Sequence, residues 1–224
     1  MLYLALSCLQ GRLMQPAATE LLDLGINRLQ LTPGLAPTPD FKAWLESKNV
    51  DYLTHHGFSW EKYNTSVWNK AGNCLVESNS IHPPLLDSLS GEIWLQKAEN
   101  GDYRDFILET MYPKYHLGDS EALTWAMDNQ FRLAVDVSHI YIQLQNGSLT
   151  DKVWRRLQQY DRIAELHLSS NNGKADIHQP VDKNTFGLAW VQERSRDNIP
   201  VVLECYMHRL SKSERLEQIE VIGS

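Results

Sequence analysis

The chain has 224 residues, 42% of them hydrophobic and 22% charged, with a net charge of −7. That length suits one α/β domain (residues 1–224) with a full core. The acidic balance and the lack of a basic patch argue against a nucleic-acid partner. No run approaches the roughly 20 apolar residues of a membrane span, so the expected partner is a small-molecule substrate; the sequence does not set the oligomeric state.

Cys8, Cys74 and Cys205 are odd in number and show no CxxC spacing, the usage of reduced thiols in a cytoplasmic protein. Residues 2–8 are apolar, but too short and without the basic start of a signal peptide.

Taken in order, residues 2–7 read as a buried strand, and 15–23 as a helix stopping at Gly25. Residues 27–32 alternate as a second strand. Thr38-Pro39 opens the next helix, with Thr38 as N-cap and Pro39 in the first helical position. Residues 51–54 form a third strand ending at His55-His56-Gly57-Phe58. A polar loop with Trp60, Tyr63 and Trp68 follows. Cys74-Leu75-Val76 and Ser80-Ile81-His82 make a fourth strand, stopped by Pro83-Pro84. Residues 85–103 show little pattern, and the span from His82 to Glu109 is short for a long regular helix. Residues 106–109 are a fifth strand and 119–128 a capped helix. Residues 133–137 are a sixth strand, and Thr150 caps a helix over 152–160. Residues 163–168 form a seventh strand, a helix lies near 185–195, and 199–204 are an eighth strand. Ser211-Lys212-Ser213-Glu214 is a capping box that starts a last helix.

Strands separated by helices imply right-handed βαβ units and a parallel sheet. Eight of them in a chain this size predict an α/β fold, the closed (β/α)8 TIM barrel, with an open doubly wound sheet as the alternative. Neither GxGxxG nor GxxxxGK[ST] is present.

In such a barrel the active site forms where the C-terminal strand ends meet. Those ends carry His55, His82, Glu109, Asp136, His167 and Glu204, with His139, Asp176 and His178 in the segments just after. A strand-end carboxylate taken singly is a solvated rim residue or a helix cap. An Asp, Glu or His at the end of every strand from the third to the eighth points instead to a divalent metal site of zinc or manganese type. Asp136 and His139 are three apart, so both cannot point into the barrel from regular strand geometry. His139 is therefore expected in the loop layer with Asp176 and His178, which face one side of an extended loop. Those three would make a second subsite, or else a hydrogen-bonded cluster that orients the first.

At these residues the chain resembles the xylose-isomerase-like barrels, a group of sugar isomerases, sugar epimerases and endonuclease IV. The resemblance rests on Glu109, Asp136-Val137-Ser138-His139, His167 with Asp176-Ile177-His178, and Val202-Leu203-Glu204. It implies one catalytic cation on Glu109, Asp136, His167 and Glu204, as in the isomerases and epimerases. It also offers three zinc ions on all nine residues, as in endonuclease IV, so one to three ions per chain are expected. The stretch Gln179-Pro180-Val181-Asp182-Lys183 replaces the glycine-containing segment that often follows in the group. His55 or His56 fills the third-strand position, His55 fitting the group better because a small residue, Gly57, comes two positions later and an aromatic, Phe58, after it.

The implied reaction is isomerisation or epimerisation of a sugar, sugar phosphate or similar polyol. Glu109 and Glu204 would move the proton through an enediolate. The alternatives are multi-zinc phosphoester hydrolysis of the endonuclease IV kind and a non-catalytic metal-binding barrel. His56, Trp60, His208 and Arg209 are candidates for touching substrate. His116 and Lys114 read as solvated loop.

Overall fold

The structure, a computed structural model, describes residues 1–10, 12–32, 39–57 and 80–223, with residues 56 and 57 described as backbone only. Eight parallel strands close into a barrel in sequence order: β1 Leu2–Ala5, β2 Arg28–Leu31, β3 Asp51–Gly57, β4 Ser80–His82, β5 Ile107–Glu109, β6 Arg132–Asp136, β7 Ile163–Leu168 and β8 Val201–Leu203. Closure is direct, since Leu2, Tyr3 and Leu4 of β1 lie beside Val201, Val202 and Leu203 of β8. The described helices are α1 Met14–Leu22, α2 Pro39–Ser47, α3 Leu89–Glu99, α4 Ser120–Asp128, α5 Val137–Asn146, α6 Asp151–Gln158, α7 Leu188–Ser195 and α8 Lys212–Gly223. The TIM barrel is thus the fold, not the open sheet. The predicted strand segment Cys74-Leu75-Val76 and the Thr38 cap lie outside the described residues.

Parallel strands are covered by helices on the outside and by one another's side chains within, so most residues on both faces are apolar. The outward set of Leu4, Leu29, Leu108, Leu133, Leu166 and Leu203 is wholly buried against helices that contribute Ala18, Leu21, Leu45, Leu123 and Leu157. Helix starts follow the capping chemistry of the sequence. Ser88 accepts from the Gly91 N–H, Asp119 from Ala122 and Thr150 from Val153. At α8 the Ser211 N–H donates to Glu214 Oε2 at 2.7 Å, and the Glu214 N–H returns to Ser211 Oγ at 3.4 Å.

Three departures from the sequence expectation have physical reasons. The stretch 85–103 does hold a regular helix, α3, of 11 residues. Its periodicity is blurred because Leu89, Ile93 and Leu95 are exposed while Trp94 and Ala98 are buried. The sixth strand stops at Asp136 rather than continuing through Val137. Asp136 Oδ1 accepts from the Ser138 and His139 N–H groups at 2.7 and 3.1 Å, so it caps α5, which runs on to a left-handed Gly147. His116 is not a solvated loop residue. Its ring stacks on Trp94 at 4.5 Å, and its Nε2–H donates to the Gly91 carbonyl at 3.1 Å.

Burial lowers the His116 pKa, only partly opposed by the Gly91 carbonyl and Asp119. A histidine whose folded pKa is depressed contributes stability above its unfolded pKa of about 6.5, and that stability is lost as pH falls below it. The parent should therefore melt progressively lower between pH 7 and pH 5. His116→Gln, which cannot take up a proton there, should show a flatter profile over the same interval. Parallel melting profiles for the two proteins would rule His116 out as the titrating contact.

Candidate metal centre

Consecutive strands supply the site. His55 lies in β3, His82 ends β4, Glu109 ends β5, Asp136 ends β6, His167 is the penultimate residue of β7, and Glu204 follows β8. Among the described residues, two sets bring one ligand atom each to within 4.8 Å of all the others. One is Glu109, Asp136, His167 and Glu204; the other is His55, Glu109 and His167. Glu109 belongs to both and is the centre of the cluster. Its Oε1 lies 3.2 Å from His167 Nδ1 and 3.8 Å from His139 Nδ1, and its Oε2 lies 3.1 Å from His55 Nε2. Glu204 Oε1 is 3.5 Å from the same His167 nitrogen.

These groups are almost wholly buried: Glu109 is 2% exposed, Asp136 1% and His167 0%. Burying this much carboxylate is costly unless cations or hydrogen bonds compensate it. Burial alone would raise Glu109, yet the His55 and His167 imidazoles beside it hold its pKa well below the carboxylate range. Glu204 goes the other way, raised by burial and by the charges of Glu109 and Asp136 beyond what His167 offsets. Burial would lower His167, but Glu204, Glu109 and Glu165 together lift it well above the ordinary imidazole value.

Asp136 is divided between two tasks. Its Oδ1 caps α5, while its Oδ2 is buried with no hydrogen-bond partner. Glu109 Oε2 has the His55 ring nitrogen beside it at 3.1 Å. Buried polar atoms left unpaired call for an explanation. Three carboxylates and an imidazole that bring one atom each to within 4.8 Å of the others suit a divalent cation of borderline hardness.

Beside this set, His139 sits in the first turn of α5 rather than in a loop. Its Nδ1–H donates to the Thr110 carbonyl at 2.9 Å, and its Nε2 lies 3.5 Å from Asp136 Oδ2 and 3.3 Å from Asp176 Oδ2. His178 Nε2 is 3.1 Å from the same Asp176 oxygen. The backbone at His178 is not extended, because its φ is +45°. Burial opposes protonation of His178, but Asp176 beside it lifts its pKa to about 9, and the two imidazoles draw Asp176 well down in return. His82 donates Nδ1–H to its neighbour Pro83's carbonyl at 3.2 Å, and burial depresses its pKa to about 4. Its ring lies 5.5 Å from that of Tyr115 and 6.4 Å from that of His139.

The remaining candidates are more remote. His208 is half-buried with its ring 5.8 Å from Tyr206, which itself stacks on His178 at 4.9 Å. Arg209 is exposed. The side chain of His56 and all of Trp60 lie outside the described residues.

Sequence reasoning overlooked the buried polar residues beneath the ligands, Gln30, Ser80 and Glu165, and Thr110 just past the end of β5, whose hydroxyl accepts from the Asp136 N–H. Glu165 was legible, since in a strand it shares a face with His167 two residues on. The register between β6 and β7 slips by one residue at Leu133/Ala134, pairing Ala134 with Glu165 and Asp136 with His167.

No protein family matches the sequence, and no curated protein does. Among solved structures, the chain is similar to a D-tagatose 3-epimerase-like protein, with a TM-score of 0.63, 12% identity and coverage of 99% of this chain and 98% of that one. A second match, a protein from Thermus thermophilus soaked with ZnCl2, has a TM-score of 0.37 at 15% identity, covering 99% and 98% of the two chains, too distant to bear on this one. The chain thus shares its fold, the closed (β/α)8 barrel, with the D-tagatose 3-epimerase-like protein over nearly the full length of both.

Proposed function

We propose that this chain is an isomerase or epimerase of a sugar, sugar phosphate or similar small polyol, using a divalent cation, zinc or manganese, held by Glu109, Asp136, His167 and Glu204. The supporting observation is that the four ligand atoms lie within 4.8 Å of one another at one barrel rim, in a fold shared with an epimerase-like protein. When bound, the cation would polarise the carbonyl and hydroxyl oxygens of an α-hydroxycarbonyl unit. The protein's part is proton transfer. Two carboxylates with environments that push their pKa values apart suit opposite roles. Glu109, held ionised, takes the proton from carbon. Glu204, pushed toward protonation, returns one, and the substrate passes through an enediolate. Barrel closure excludes water from beneath the site, where Gln30, Ser80 and Glu165 are buried.

Deuterium uptake at the carbon next to the carbonyl, followed by proton NMR in D2O over a panel of ketoses, aldoses and their phosphates, tests this reading. Protein loaded with zinc or manganese should wash deuterium into at least one of them, and chelation should stop it. Absence of exchange across the panel, together with hydrolysis of a phosphodiester by the loaded protein, would transfer the assignment to the second reading. That reading, multi-zinc phosphoester hydrolysis, draws support from the placement of His55, His82, His139, Asp176 and His178 around the same rim. The net charge of −7 favours a small substrate over nucleic acid in either case.

A further inference from the structure

We propose that Glu165 is the positioning residue that fixes the tautomers of two histidines in the centre, His167 directly and His55 through Ser80. The proposal rests on the metal site described above and concerns what lies beneath it. Glu165 Oε2 is 3.2 Å from His167 Nε2 and accepts the Ser80 hydroxyl at 3.0 Å. Ser80 Oγ in turn lies 2.8 Å from His55 Nδ1. Because Ser80 donates its one proton to Glu165, it can only accept from His55, so His55 carries its proton on Nδ1. The lone pair of His55 is then on Nε2, the atom 3.1 Å from Glu109 Oε2.

The same logic applies to His167. A carboxylate at Nε2 requires a proton there and leaves the lone pair on Nδ1, the atom that faces Glu109 and Glu204. The Gln30 amide fits this tautomer. With its nitrogen 3.3 Å from His167 Nε2, its Oε1 is buried with no partner. A half-turn of the amide places the oxygen at Nε2 and removes the orphan. One buried carboxylate, 1% exposed, therefore aims two imidazole lone pairs at the Glu109 corner. Carboxylates behind metal-bound histidines hold ring orientation and raise ligand basicity, and their loss costs about 10–100-fold in metal affinity.

Zinc is the probe, being diamagnetic. In the parent loaded with zinc, the nitrogen-15 histidine spectrum should show His167 protonated at Nε2 and metal-bound at Nδ1, with His55 protonated at Nδ1. A proton on His167 Nδ1 overturns the proposal without recourse to any variant. Glu165→Gln keeps the shape and should weaken zinc binding by about 10–100-fold in calorimetry. Ser80→Ala should leave the His167 signals in place and release the His55 tautomer. Zinc bound by Glu165→Gln as tightly as by the parent would remove the role of Glu165 and leave the metal site standing. A parent that takes up no zinc would overturn the metal site and this role with it.

Discussion

Glu109→Gln is expected to leave the barrel intact while stripping the protein of its divalent ion and of its chemistry. Both closely spaced ligand sets contain Glu109, and its two oxygens lie within 3.8 Å of three imidazoles. Glutamine fills the same volume, so the outward leucines that pack the barrel against its helices are untouched. What is lost is a negative charge where cations meet. Metal content after gel filtration should fall by about one ion per chain, the one held by Glu109, Asp136, His167 and Glu204. Deuterium exchange into substrate should fall by about 10²–10⁴-fold from the missing proton acceptor, and further from the missing ion. Far-UV circular dichroism should be unchanged. A Glu109→Gln protein that keeps both its metal and its exchange activity would show that the polar cluster at the rim is only a buried hydrogen-bonded network.

The strands of this fold were legible because a parallel barrel buries both faces of each strand, so each one reads as an apolar run that ends on a polar residue. Residues 133–136 of β6 and Ile107–Glu109 of β5 follow that pattern directly. The same rule hid α5. Val137-Ser138-His139 continues the apolar run of β6, and only the double role of Asp136, as last strand residue and N-cap, marks the change. A helix spanning 137–146 moves His139 onto a first turn, beside Asp136 and Asp176, and not into a loop. Glu165 was missed for a different reason. A carboxylate in mid-strand looks like a break in an apolar run. Its meaning depends on Ser80, 85 residues away, and on the buried Gln30 beside His167, neither of which has a sequence signature. His116 was misjudged because its burial depends on Trp94, in a helix whose exposed leucines conceal which face is packed.

A second divalent ion is expected between His139, Asp176 and His178. The Nε2 atoms of the two imidazoles flank one oxygen, Asp176 Oδ2, at 3.3 and 3.1 Å. Asp176 Oδ1, His178 Nδ1 and Asp136 Oδ2 are all buried without hydrogen-bond partners. The three residues are not drawn within 4.8 Å of one another as the four-ligand set is, so binding has to pull them inward to zinc–nitrogen bonds of about 2.0–2.1 Å. The protons that hold the cluster must also leave. Against burial, Asp176 lifts His178 to about 9, and Asp136 with Asp176 raises His139 well above the usual value. An ion that displaces one proton loses roughly tenfold in apparent affinity for each pH unit below the pKa of the displaced group. Occupancy should therefore climb between pH 6 and pH 9 and be lost toward acid. Anomalous scattering at the zinc edge from crystals loaded at pH 8 should show one peak near Glu109 and Glu204 and another near Asp176. Asp176→Asn should erase the second and keep the first. A single peak in the fully loaded parent would reduce the three residues to a hydrogen-bonded support for Asp136, and with it the case for phosphoester hydrolysis would fall in favour of the isomerase.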